Sequence, residues 1–255
     1  MGVTALAACA ALAACGGSPA PHPLATPTPT AAVATGNATP AHQVLALVPS
    51  QATELTVTDF EQLPKPIDWA SADAHEPLLT RGLLRDSHHQ DQVLWEAHWD
   101  GGGVAGWALM LADGADASTL APAGSKVEGQ LVSQGAATGQ SWADDAGVAT
   151  LVQDDPISTY VAKGCLAGDP APGLQPLDGY ALELTDTLAT ARLSTGRTDL
   201  FARMRMASAV PAFEHTFTGG VADPVSGRIG YQIADAAQAA QLALTHKLPF
   251  AVCGS

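Results

Sequence analysis

Gln92 to Trp99 alternates between apolar and polar residues, with Val93, Trp95, Ala97 and Trp99 on one side and Glu96 and His98 on the other. A period of two marks a strand with unlike faces, because successive side chains project to opposite sides. Asp100-Gly101-Gly102-Gly103 then spells a tight turn, and Val104 to Ala112 is apolar again. Strands joined by so short a turn must run antiparallel, since a parallel pair needs a crossover of about a dozen residues or more. This hairpin commits the chain to an antiparallel sheet, with the tryptophans expected inward and Glu96 and His98 outward.

Other segments extend the pattern. Val44 to Val48 is apolar, and Leu55 to Phe60 alternates with Leu55, Val57 and Asp59 on one side, the mark of a half-buried strand. Residues 61 to 91 are rich in Pro, Asp and His and predict loop, with a short helix near Leu78 to Leu84. Further strands are expected at 127–132, 148–152, 180–184 and 188–193. Helices are expected at 114–121, 157–166 and 198–207, the last with Leu200, Phe201 and Met204 at helical spacing. The fold class that follows is α+β, an antiparallel sheet with helices.

A faint repeat underlies it. Gly106 to Asp113 leads into a helix ending at Leu120, and Ile229 to Asp235 into one ending near Leu244, each after a Gly-Gly turn. Two readings stay open: two similar hairpin-plus-helix halves, 42–150 and 151–255, or chance recurrence in an Ala/Gly-biased chain.

Residues 18–41 carry no charge and are dense in Pro, Thr and Ala, and no Asp, Glu, Lys or Arg precedes Glu54. Such a segment buries too little apolar surface to fold, and its prolines hold it extended. The folded part is therefore expected at 42–255. Ahead of the tether, Val3 to Ala13 is apolar but too short to cross a hydrocarbon core of ~30 Å, and it runs into Leu12-Ala13-Ala14-Cys15-Gly16-Gly17. This stretch resembles the lipobox of bacterial lipoproteins. The resemblance implies that residues 1–14 are a signal peptide and that Cys15 is acylated, palmitate included. Residues 15–41 would then tether the domain to the outer face of the cell membrane. No Lys or Arg opens the signal, which fits a translation start upstream of Met1.

On that reading, the four cysteines sort themselves. Cys9 leaves with the signal and Cys15 carries lipid, so Cys165 and Cys253 remain. Two cysteines in an exported domain read as one disulfide, with two buried thiols as the alternative. The net charge of −14 lies wholly within 42–255 and repels nucleic acid and anionic headgroups alike. Nucleic acid is not an expected partner, and membrane contact is expected through the anchor at Cys15 alone.

Motifs for chemistry are sparse, and no catalytic residue is assigned. Gly101 to Gly106 formally matches G-x-G-x-x-G, but a dinucleotide site needs a helix next, and Trp107 to Ala112 is a strand; no cofactor is expected. The densest group of potential metal ligands is His88, His89, Asp91, Glu96, His98 and Asp100, of which His89, Asp91, Glu96 and His98 form the candidate metal set. The competing reading is the solvated edge of an amphipathic strand. No serine sits in G-x-S-x-G or opens S-x-x-K, although a triad need not be contiguous. Trp69, Trp95, Trp99, Trp107 and Trp142 suit either a core or an aromatic pocket. Arg197, Arg203 and Arg205 lie on or beside one helix and suit either an anionic group or the chain's own acids.

The run 45–60 and the ending 227–253 look like uncharacterised lipoproteins of actinobacteria, a resemblance that brings no activity with it. The expected function is a non-enzymatic binding or interaction module of the cell envelope, with an unknown envelope protein or small ligand as partner. A carrier of a small apolar or lipid ligand is the first alternative, and an envelope hydrolase or metal-dependent enzyme the second.

Overall fold

The expected hairpin forms β2 (Val93–Asp100) and β3 (Gly106–Leu111) of a ten-stranded sheet in which every neighbouring pair is antiparallel. The structure is a computed structural model and describes residues 39–62, 92–152, 156, 158–163, 173–175, 177–185, 187–193, 196–209 and 213–244. The α+β class read from the sequence holds. Gly101, Gly102 and Gly103 all adopt positive φ, and a Cβ on Gly101 would overlap Thr53 Oγ1, so the hairpin turn lies against the chain entering β1 (Glu54–Asp59).

The remaining strands are β4 (Lys126–Glu128), β5 (Leu131–Gln134), β6 (Ser158–Ala162), β7 (Tyr180–Leu184), β8 (Leu188–Arg192), β9 (Phe217–Asp223) and β10 (Arg228–Ile233). They lie in the order β4-β5-β3-β2-β1-β6-β7-β8-β10-β9. From the β1–β6 junction outward, the two sides follow one scheme: three consecutive strands, then the fifth, then the fourth at the edge. The sequence repeat, however, matches β3 to β10, which hold different places in that scheme.

Helices α1 (Pro40–Leu45), α2 (Ala117–Leu120), α3 (Ala146–Leu151), α4 (Leu200–Ser208), α5 (Phe213–Thr216) and α6 (Ala236–Leu244) complete the described elements, with a 3₁₀ turn at Trp142–Asp144. α1 begins two residues inside the segment read as tether. Thr39 caps it by accepting from the His42 N–H, and Pro40 fills the first turn, where its missing N–H costs nothing.

Four local readings are corrected. Residues 148–152, expected as a strand, fall largely in α3, because the Asp145 carboxylate accepts from the N–H groups of Gly147 and Val148 and starts a helix. Within 157–166, expected as a helix, Ser158–Ala162 is β6, whose Thr159, Tyr160 and Val161 suit the central strand beside β1. The single strand expected at 127–132 is the β4–β5 hairpin, turned at Gly129 with φ 62°. The helix expected at 114–121 is confined to α2. The helix expected near 78–84 lies outside the described residues.

Two apolar clusters hold the sheet. One gathers Val44, Leu55, Val57, Trp95, Trp99, Trp142 and Val161, and the other Trp107, Leu109, Leu184, Leu200, Phe217, Ile229 and Tyr231. The four described tryptophans are all buried core residues. Each of Trp99, Trp107 and Trp142 satisfies its indole N–H, Trp142 by donating to the Ala52 carbonyl at 3.1 Å.

Candidate functional site

Glu96 and His98 lie on one face of β2, as their spacing requires, but not in solvent: they are 1% and 8% exposed. Their cross-strand neighbours are Thr58 and Thr56 on β1, and Leu109 and Trp107 on β3. The sequence reading of an outward polar face fails because β2 is an interior strand with both faces covered; alternation distinguishes two faces without saying which meets water. β1 is likewise covered on both sides rather than half-buried. His89 and Asp91, the other members of the candidate metal set, lie outside the described residues, as do Cys15, Cys165, Cys253 and Trp69. Among the described residues, no group of three His, Cys, Asp or Glu is placed to hold a metal ion.

The arginines near α4 separate into two kinds. Arg197 and Arg203 are buried and converge on Asp199, a residue the sequence reading passed over. Arg197 donates through Nε and Nη2 to the two carboxylate oxygens at 2.8 Å each, and Arg203 Nε donates to Oδ2 at 2.9 Å. Both guanidiniums also reach the Gln175 carbonyl at 2.8 Å, while the Gln175 N–H donates to Asp199. Burial alone would raise the Asp199 pKa, but the two cations and the Gln175 N–H outweigh it and hold the carboxyl well below the usual range. The Arg-x-Asp-x-x-x-Arg spacing is the signal that could have exposed this cluster. It is an internal strut pinning the 173–175 segment to the start of α4.

Arg205 differs. It is exposed, and it enters no ion pair among the described residues. It stands at the rim of a groove of about 510 Å³ between α4 and β9, with Phe201, Met204, Phe213, Gly220 and Tyr231 forming much of the rest. The floor is rigid. Tyr231 donates its hydroxyl to the Met204 carbonyl at 2.9 Å and meets Phe213 edge-to-face at 4.7 Å, and burial pushes its pKa up to about 12. Gly220 permits this closeness, for a Cβ there would stand 2.7 Å from Met204 Cε and 2.9 Å from Tyr231 Cε1. Phe201, at 63% exposed, forms an open apolar lip.

A second cavity of about 670 Å³ has Asp145, Val148, Lys163, Asp178, Leu193 and Ser226 in its walls. Two of its charged groups, Lys163 and Asp145, already serve the fold. Lys163 Nζ donates to the Ser50 carbonyl at 3.2 Å, pairs with Asp145 at 3.4 Å and lies 4.9 Å from the centre of the Trp142 ring. Burial acts to raise the Asp145 pKa, but the Val148 N–H and Lys163 prevail and lower it. The first groove is thus the better binding surface, with apolar walls and a cation that has no ion pair among the described residues.

No family model, no curated protein and no solved structure matches the chain.

Proposed function

We propose that the protein is a lipid-anchored, extracytoplasmic binding module that engages another component of the cell envelope through the groove between α4 and β9. The observation that carries this reading is the groove: closely packed apolar walls, an exposed Phe201 and an Arg205 with no ion pair among the described residues, whereas Arg192, Arg197 and Arg203 are buried in ion pairs. An aromatic and an arginine beside an apolar recess are the residue types that dominate recognition surfaces. Anchoring at Cys15 and a tether ending near Thr39 would hold that surface off the membrane, and a Cys165–Cys253 disulfide would suit the same compartment.

The test is photocrosslinking in cells. A benzophenone side chain replaces Phe201 in the full-length chain, with Lys126 on the far edge as control. A discrete adduct from position 201 and none from 126 is expected; no adduct from either position would remove the binding role. Loss of acyl labelling and of membrane fractionation in Cys15→Ala checks the anchor separately. Peptide maps with and without reductant check the disulfide.

A further inference from the structure

The two edges of the sheet are built differently. β4 has three residues, two of them the charged Lys126 and Glu128, paired at 2.8 Å. Short, charged edges of this kind discourage another chain from adding a strand. β9 has seven residues, Phe-Thr-Gly-Gly-Val-Ala-Asp, with no Lys, Arg or Pro. Among the described residues it pairs with β10 alone, with one register shift between Gly230 and Gln232 where Gly219 has φ 54°, and no hydrogen bond reaches the outer side of its backbone from 217 to 222. Val221 and Val225, on β9 and the turn beyond it, are 63% and 83% exposed.

The groove shares this edge, since Gly219 and Gly220 of β9 lie in its wall with Phe201, Met204 and Arg205 of α4. A strand laid along β9 would place every second side chain on the groove's side of the sheet. Apolar side chains fit there, and a carboxylate meets Arg205. We propose that β9 is a docking edge that takes an extended peptide segment of an envelope protein as an eleventh strand, its alternate apolar side chains in the groove and an acidic group on Arg205. Main-chain bonds supply affinity in such docking, and the side-chain recess supplies selectivity. The proposal rests on the binding-module reading and names the partner's chemistry.

The test uses the full-length protein and three acetylated, amidated heptapeptides of alternating valine and threonine: one ending in glutamate, one ending in lysine, and one with a central proline before the glutamate. The glutamate peptide should bind and slow amide exchange within 218–222. Proline removes a ladder donor and should weaken binding about fivefold. Arg205→Glu, an exposed substitution, should move the preference toward the lysine peptide by about threefold, the range of a solvated ion pair. No binding at millimolar peptide, an unaffected proline peptide, or unchanged exchange in 218–222 would overturn strand addition. If position 201 still crosslinks in cells under those outcomes, the groove binds something other than a strand; if it does not, the binding role falls as well.

Discussion

Asp199→Asn should be among the most damaging single substitutions in the described part of the chain. The carboxylate accepts from Arg197, Arg203 and the Gln175 N–H, all within 2.9 Å, and both arginines are buried. Asparagine removes the charge that balances two guanidiniums and turns an N–H₂ group toward donors. Removing one partner of a buried ionic cluster costs about 3–5 kcal/mol. With a slope of about 2.5 kcal/mol/M, the urea midpoint should fall by about 1–2 M at unchanged slope.

Arg203→Met should cost less, because it leaves the Arg197–Asp199 pair balanced. The pH dependence has a definite sign: the Asp199 pKa is depressed in the fold, so its stabilisation is present above the unfolded carboxylate value of about 3.9. It is lost as pH falls through the lower folded value. The difference between wild type and Asp199→Asn should therefore be constant at neutral pH and narrow below about pH 4. Urea titrations followed by far-UV circular dichroism measure both effects. A midpoint shift under about 0.4 M, or a costlier Arg203→Met, would show that charge balance does not govern this cluster.

Three further outcomes follow from the packing. Trp142→Phe should lower stability by about 2–3 kcal/mol in the same titration, since it leaves the Ala52 carbonyl without its donor and opens a void in a fully buried site. Gly101→Ala should lower the melting temperature, because φ is 86° and the added methyl meets Thr53; rescue by Thr53→Gly would trace the loss to that contact. Lys126→Ala should change stability by less than about 0.5 kcal/mol, for its pair with Glu128 is solvated.

The sequence was legible where side-chain period and local chemistry agree. β2, β3, β7, β8 and β10 and helices α4 and α6 stand where alternation or helical spacing puts them. It misled where two states share one composition. Residues 148–152, with Val148, Leu151 and Val152, read as a strand until the Asp145 cap is considered. Residues 157–166 read as a helix although Thr159, Tyr160 and Val161 favour a strand, because the place of Ser158–Ala162 between β1 and β7 is set by segments far away in the chain. The largest misreading, Glu96 and His98 in solvent, has the same origin: burial of a polar face depends on what packs over it, which lies elsewhere in the chain. The groove was half-visible. The sequence shows Arg205 only as one of three arginines on or beside one helix, and its separation from Arg197 and Arg203 depends on the fold placing Asp199 between the other two.

The central seam has a cost in time. Glu54 meets Ala162 across it, about a hundred residues later in the chain. A polypeptide made or threaded from its N-terminus exposes β1, apolar on one face and uncapped along one side, until 158–162 arrives. Half-built sheets of this sort attract one another. The first half should therefore precipitate when produced alone, and a factor that shields nascent chains would matter most in the interval between the emergence of residues 59 and 158.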